Sequence, residues 1–310
     1  MLYTTLGRTG LRVSRVGLGC GGPSRLGQAY GQPSDDSKRL IRRAVELGIN
    51  LFDTAESYGT EVLLGEALRE AGFSERAVVS TKKGVWDDGE KRLRTPREMQ
   101  DGIDASLRRL GRERIEVFHL HGLALEHVDY ALTELVPVLQ GAQSSGKIGH
   151  LAVSEAFMGD TEHRMFQRLL PEDAFDVVMV GFNLLNPSAR SLVLPLTRER
   201  RVGTLIMFAV RKALTNPARL REVLDTLIAQ GELPQEALDP AAPLGFLGDV
   251  RDAAYRFCAH EPGSDVVLTG TGKVEHLEQN VASLSSGPLS NEQLAVLRRV
   301  FGHIQSVSGH

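Results

Sequence analysis

Cysteine is nearly absent from this 310-residue chain: Cys20 and Cys258 are the only two. Two cannot build a disulfide framework, and neither has neighbours at zinc-ligand spacing, so no metal site and a reduced compartment are expected. Positive charge is not in excess either: 36 Lys and Arg against 39 Asp and Glu leave a formal net charge of −3. Such a balance offers no basic surface for phosphate neutralisation and argues against a nucleic-acid partner. Runs of roughly 20 apolar residues, the length that spans a bilayer, are missing. The start, M-L-Y-T-T-L-G-R-T-G, has no apolar stretch of signal-peptide length. No membrane partner and a cytoplasmic location are therefore expected. No Pro/Gly/Ser-rich linker or shift in composition divides the chain, which predicts one domain over 1–310.

What is present is alternation. Short apolar strands are predicted at Val16–Gly19, Asn50–Asp53, Ala77–Lys82, Ile115–His119, Ile148–Val153, Asp176–Val180, Gly203–Met207 and Asp265–Leu268. Amphipathic helices fall between them at Ser34–Leu47, Glu61–Ala71, Thr95–Leu110, Glu126–Gln143 and Pro187–Arg200. Gly48, Gly72 and Gly111 mark the stops of the first three. Eight strands, each followed by a helix, predict a (β/α)8 TIM barrel, an α/β fold. A β-hairpin, Leu2–Leu6 and Leu11–Val13 around Gly-Arg-Thr-Gly, precedes it. Residues 209–248 form a long loop between strands seven and eight, with one helix near Pro217–Ala229. Loops of that length are usually functional, so it is a candidate substrate or cofactor flap. Helices at Asp249–His260 and Asn291–His303 complete the reading.

Asp53, Lys82 and His121 fall at or just beyond the ends of predicted strands two, three and four, where active sites in this fold are built. Tyr58 follows Asp53 by five residues. Free tyrosine titrates near pH ~10 and is a poor acid at neutral pH. A buried ammonium nearby is expected to lower that barrier, with Asp53 holding the ammonium and His121 orienting a substrate oxygen. Together the four suit protonation of a carbonyl oxygen or removal of an alcohol proton. Lys83 competes with Lys82 for this part, and His119 reads as a polar barrel filler. A further motif, Gly17-Leu-Gly-Cys-Gly-Gly22, fits G-x-G-x-x-G, but no helix opens after it, which excludes a Rossmann site.

Five segments, in order, carry a resemblance: G-I-N-L-F-D-T-A-E-S-Y-G-T-E-V-L-L-G-E-A-L, V-V-S-T-K-K-G, R-I-E-V-F-H-L-H, G-K-I-G-H-L-A-V-S and L-T-G-T-G-K-V-E-H-L-E-Q-N. Together they resemble the aldo-keto reductase superfamily. The resemblance implies a barrel with an N-terminal hairpin and hydride exchange between a nicotinamide cofactor and a carbonyl or alcohol. By motif it makes Tyr58 the general acid/base, tuned by Lys82 and Asp53, with His121 beside the carbonyl. Lys82, directly after the threonine, matches the family lysine.

The cofactor region departs from the family. Ser154 is kept, but Glu155 follows where asparagine is usual, and Met179 takes the place of a glutamine. A carboxylate accepts but cannot donate, and a thioether does neither well, so the grip on the carboxamide is altered. Phe208 replaces a ring-stacking tyrosine. Cys20 and Gly21 belong to the first βα loop, expected close to the nicotinamide. Gly270, Thr271, Lys273, His276, Gln279 and Asn280 match the adenosine-phosphate segment. Lys273 and Arg211 are the candidate phosphate cations, with Lys212 beside them, and NADP(H) is favoured over NAD(H). Three readings follow: a carbonyl reductase, a sugar dehydrogenase of the same family working oxidatively, and a slow-turnover nucleotide-binding regulatory subunit. A fourth, an unrelated TIM-barrel hydrolase or isomerase, has the complete tetrad against it. Loops 23–33, 85–94 and 209–248 are expected to line the substrate pocket, with Trp86 as a wall.

Overall fold

A computed structural model describes residues Met1 to His310. The hairpin comes first: β1 (Tyr3–Thr5) pairs antiparallel with β2 (Arg12–Ser14). Eight parallel strands then close a barrel: β3 (Val16–Gly19), β4 (Leu51–Asp53), β5 (Val78–Gly84), β8 (Ile115–Leu123), β9 (Ile148–Glu155), β10 (Val177–Gly181), β11 (Gly203–Met207) and β12 (Val266–Thr269). Between β5 and β8 a small hairpin, β6 (Trp86–Asp87) with β7 (Arg92–Leu93), occupies a stretch expected to be plain loop.

Two apolar layers hold this together. Inside the barrel, Leu51, Val78, Val117, Val177, Leu205 and Val266 meet Leu6 and Val13 of the hairpin, which therefore plugs the end where the strands begin. Gly7 is required at that plug. Its φ is +49°, and a Cβ there would stand 2.1 Å from the Gly203 nitrogen. Outside, a far larger cluster packs strands against helices and runs from Val16 to Ile304. With one end plugged, chemistry is confined to the other.

Several elements differ from the sequence reading, each for a visible reason. β8 continues past His119 to Leu123, through an irregularity between Leu120 and Leu123. Gly122, at φ +63°, absorbs it, so His121 sits on the strand and not beyond it. The helix expected over 126–143 contains a π turn at Ala131–Leu135 before Val136–Ser144. Pro137 lacks an N–H and crowds the preceding turn, which accounts for the wider winding there. The 187–200 helix breaks at Val193, and Pro195 lies in the first turn of its second half, Leu194–Arg200. An additional helix, Arg164–Leu169, was not foreseen. Asp160 starts it by accepting from the backbone N–H groups of Arg164 (3.1 Å) and Met165 (2.7 Å).

Candidate active site

A cavity of about 1380 Å³ opens at the C-terminal ends of the barrel strands. That exceeds the roughly 300–1,000 Å³ of an ordinary small-molecule site, so it has room for a dinucleotide and a small substrate together. Asp53, Tyr58 and His121 line it. Lys82 lies immediately behind and is fully buried.

Strand pairing sets these positions. β4, β5 and β8 are neighbours, with Asp53 opposite Ser80 and Lys82 opposite His119. Lys82 Nζ donates to both Asp53 oxygens, at 2.6 and 2.7 Å, and to the Thr54 carbonyl at 2.7 Å. All three ammonium protons are thus used, and the ion escapes the cost of an unpaired buried charge. Lys83 points elsewhere and pairs with Glu56 at 2.5 Å, so the structure places Lys82, not Lys83, in the site. Ser80 Oγ donates to Asp53 Oδ1 (2.8 Å) and meets His119 Nε2 at 2.9 Å. His119 is thus a link in the network behind Asp53 and more than a filler.

Lys82 Nζ lies 5.2 Å from the centroid of the Tyr58 ring. The Tyr58 and His121 rings meet edge to face, with centroids 5.6 Å apart. Gly21 makes room for the phenol, since a Cβ at that position would come within 2.4 Å of Tyr58 Cε2. The first-loop glycines were expected to serve the cofactor; Gly21 serves the tyrosine as well.

One electrostatic expectation is corrected. Burial pushes the Tyr58 phenol above its ordinary value of 10; Lys82 pulls it down, and Asp53 and Cys20 push it up again. Desolvation of the phenolate outweighs the ammonium because Asp53 already neutralises that ammonium. Tyr58 is therefore a firmly protonated donor. Burial acts against the charge on Lys82, but Asp53 more than offsets it and the ammonium is held above its usual range. Burial and, after it, Lys82 lower His121 to about 3, which makes it a neutral hydrogen-bonding group at physiological pH.

Of the expected cofactor residues, Cys20 and Gln279 lie outside the cavity lining and all the others contribute to it. Cys20 is wholly buried, its thiol beside the Leu18 carbonyl, and Gln279 is exposed on the outer face of its helix. Asn280 spends its amide donor on Thr269 Oγ1 at 2.8 Å. Of the long 209–248 loop, only Ala209–Lys212 and Thr215 reach the cavity. Trp86 is not in the lining at all and stacks on His127 with a centroid distance of 5.5 Å.

Glu155 is fixed on both sides. Oε1 accepts the Gly181 N–H at 2.6 Å, and Oε2 lies 2.8 Å from Nδ1 of the buried His163. Burial pushes the Glu155 carboxyl up, while His163 and the Gly181 N–H pull against it. A column of stacked groups rises from this pair. His163 stacks on Phe157 (5.3 Å), Phe157 on Phe208 (6.1 Å), and the Arg211 guanidinium covers Phe208 at 4.0 Å. Phe208 is thereby engaged by protein groups, which alters the ring-stacking part expected of it. Arg211 keeps Nε and Nη2 buried with no protein acceptor, and its burial lowers it to about 10. Gln32 Oε1 is likewise buried without a partner. Sequence reasoning missed Phe157, His163 and Arg251, the last on the cavity rim.

Comparison with known proteins places this arrangement. A model of the Aldo/keto reductase family matches residues 17–301. An L-galactose dehydrogenase of Arabidopsis thaliana is 26% identical over 98% of this chain and 95% of its own length. An uncharacterized oxidoreductase, YqkF, of Bacillus subtilis is 23% identical over 94% of each. Among solved structures, a putative aldo-keto reductase from Pseudomonas aeruginosa aligns with a TM-score of 0.66 at 27% identity, over 91% of this chain and 94% of the other. The holo form of aldo-keto reductase AKR11C1 from Bacillus halodurans aligns over the whole of both chains, with a TM-score of 0.75 at 20% identity, a likeness of fold.

Proposed function

This chain belongs to the aldo/keto reductase family, and on that premise we propose that it is a nicotinamide-dependent oxidoreductase acting on an aldehyde or ketone, or on the corresponding alcohol. The observation that carries the reading is the meeting of Tyr58, the Lys82–Asp53 pair and His121 from adjacent strands at one dinucleotide-sized cavity. The core that runs unbroken from Val16 to Ile304 supports treating residues 1–310 as one domain. No helix is long and apolar enough to cross a membrane, which fits the cytoplasmic location we favour.

A nicotinamide, when bound, supplies or accepts the hydride. The chain's own residues do the rest. Tyr58 gives its proton to the carbonyl oxygen as charge develops there, and takes it back in the reverse direction. Lys82, locked on Asp53, stabilises the phenolate that results. Neutral His121 donates a hydrogen bond to the same oxygen and so fixes which face of the carbonyl is presented. The residues present fit a dinucleotide: Arg211 offers two buried N–H groups that find no acceptor in the protein, which a phosphate oxygen would satisfy. Lys212, Arg251 and Lys273 on the rim add positive charge and favour NADP(H) over NAD(H).

A second reading, oxidation of a sugar, is favoured by the L-galactose dehydrogenase among the relatives. A steady-state assay of reduced and oxidised nicotinamide against aldehydes, ketones and aldoses separates the two by direction and substrate. Tight dinucleotide binding without turnover on any of them would support the regulatory-subunit reading instead. Lys273→Ala is expected to weaken NADP(H) roughly threefold more than NAD(H); equal weakening would remove the charge preference.

A further inference from the structure

We infer that Lys83 is a positioning residue for the reacting phenol: paired with Glu56, it fixes the turn that carries Tyr58 from outside the barrel, as Lys82 fixes it from inside. The inference rests on the function proposed above and adds to that site a residue that does not line the cavity.

Tyr58 ends a single 3-10 turn, Glu56–Tyr58, which has no side-chain cap of its own. Three residues make too few hydrogen bonds to hold a ring in one place unaided. The base of the turn is closed by Thr54 Oγ1 and Thr60 Oγ1, 2.8 Å apart and wholly buried. On the barrel side, Lys82 donates to the Thr54 carbonyl at 2.7 Å. Successive residues of a strand face opposite sides, so Lys83 leaves β5 toward the helices. There its Nζ lies 2.5 Å from Glu56 Oε2. Two consecutive lysines thus clasp the Asp53–Tyr58 segment from its two sides.

The outer contact is built into the fold. The Lys83 side chain is only 11% exposed. Its stem crosses the helix Pro96–Leu110 at Gly102, where a Cβ would stand 2.9 Å from Lys83 Cδ. Arg109 of the same helix commits its Nε to the buried Glu61 at 2.6 Å and reaches Glu56 Oε1 only at 3.7 Å. Lys83 is therefore the main anchor of Glu56. The charges that move the Tyr58 phenol are those of Lys82, Asp53 and Cys20, so Lys83 and Glu56 act through the place of the ring and not through its acidity. A general acid works only within hydrogen-bond reach of the oxygen it protonates. A misplacement of about 1 Å can cost roughly 100-fold in rate. A partly exposed ion pair, by contrast, contributes little to stability. Loss of the Lys83 charge should therefore show in turnover before it shows in unfolding.

The test joins turnover to a view of the ring itself. Lys83→Met keeps the stem over Gly102 and removes the ammonium. Wild type and variant are labelled with 13C at tyrosine Cζ; the chain has five tyrosines, and Tyr58→Phe identifies the Tyr58 signal by its loss. In Lys83→Met that signal is expected to move or broaden while the others stay. At the same time kcat is expected to fall about tenfold, with Kd for the dinucleotide within about twofold. In the Tyr58→Phe background, Lys83→Met is expected to lower the residual kcat by less than about twofold, since the hydroxyl it positions is gone. If Lys83→Met fails to fold, Glu56→Gln severs the same pair and gives the same readouts. An unmoved Tyr58 signal, or an equal fall in kcat with and without the Tyr58 hydroxyl, overturns the positioning role. A signal that moves in a protein whose wild type turns over no aldehyde, ketone or alcohol upholds the anchoring of the ring and overturns the proposed function.

Discussion

On the β4–β5–β8 side of the cavity, Lys82 places all three protons, Asp53 receives the ammonium and Ser80, and the only charges cancel each other. On the β9–β11 side, Arg211 leaves two guanidinium nitrogens unmet and His163 leaves Nε2 unmet, while Gln32 Oε1, from the loop after β3, is unmet as well. Buried polar atoms without partners are expensive, and native proteins keep few of them. His119 Nδ1, behind Asp53, is unmet too, and the orphans of Arg94, Arg200 and Ser264 belong to residues away from the cavity; Arg211 and Gln32 are the residues with unmet atoms that line it, and they mark the wall a ligand would complete. On the proposed function, the first wall carries the proton chemistry and the second receives the dinucleotide.

The largest expected effect breaks the first wall. Tyr58→Phe removes only a hydroxyl and is predicted to lower kcat by about 10²–10⁴, the usual share of a general acid, while Kd for the dinucleotide stays within about twofold. Stopped-flow and binding measurements on the same preparation check both; a comparable loss of binding would mean the two walls are not separable. The next effect breaks the second wall. Arg211→Ala is predicted to weaken dinucleotide binding by about 10- to 100-fold. It should lower Tm little, because no partner inside the protein loses a bond. A large fall in Tm would show that the guanidinium serves the Phe208 stack and not a ligand.

The smallest effect sharpens the contrast through pH. His121 has a folded-state value of about 3 against 6.5 when free, so the unfolded chain binds the proton first as pH falls. Its contribution to stability is therefore complete above pH ~6.5 and is withdrawn toward pH ~3. Between pH 6.5 and 5.5 this amounts to about 1 kcal/mol. Urea denaturation of wild type and His121→Asn across that interval should show the variant losing about that much less. Equal slopes would mean that His121 is not held neutral by its surroundings.

How much of this could be read in advance follows the same division. The eight strands were legible because each is a short apolar run bounded by turn residues. Asp53, Tyr58, Lys82 and His121 were legible because each belongs to a contiguous motif at a strand end. Cys20 was misplaced because a residue one step beyond a strand end can turn inward as readily as outward, and here the thiol is buried. Gln279 faces solvent because, on that helix, its neighbour Asn280 takes the buried side. His163 and Phe157 were out of reach. They come from the segment after β9, and only long-range closure shows that this segment folds back beneath Glu155. The sign of the Tyr58 shift was missed because proximity to Lys82 is written in the motif, whereas depth of burial is not.

The bulge at Gly122 has a consequence for how such a protein can change. The Gly122 N–H donates to Ser154 Oγ at 2.9 Å, so the residue after His121 is pinned to the residue before Glu155. One hydroxyl thus fixes the spacing between His121 and Glu155, which on the proposed function face the substrate and the cofactor respectively. A substitution at position 154 is expected to shift both residues at once, so on that reading substrate preference and cofactor preference move together.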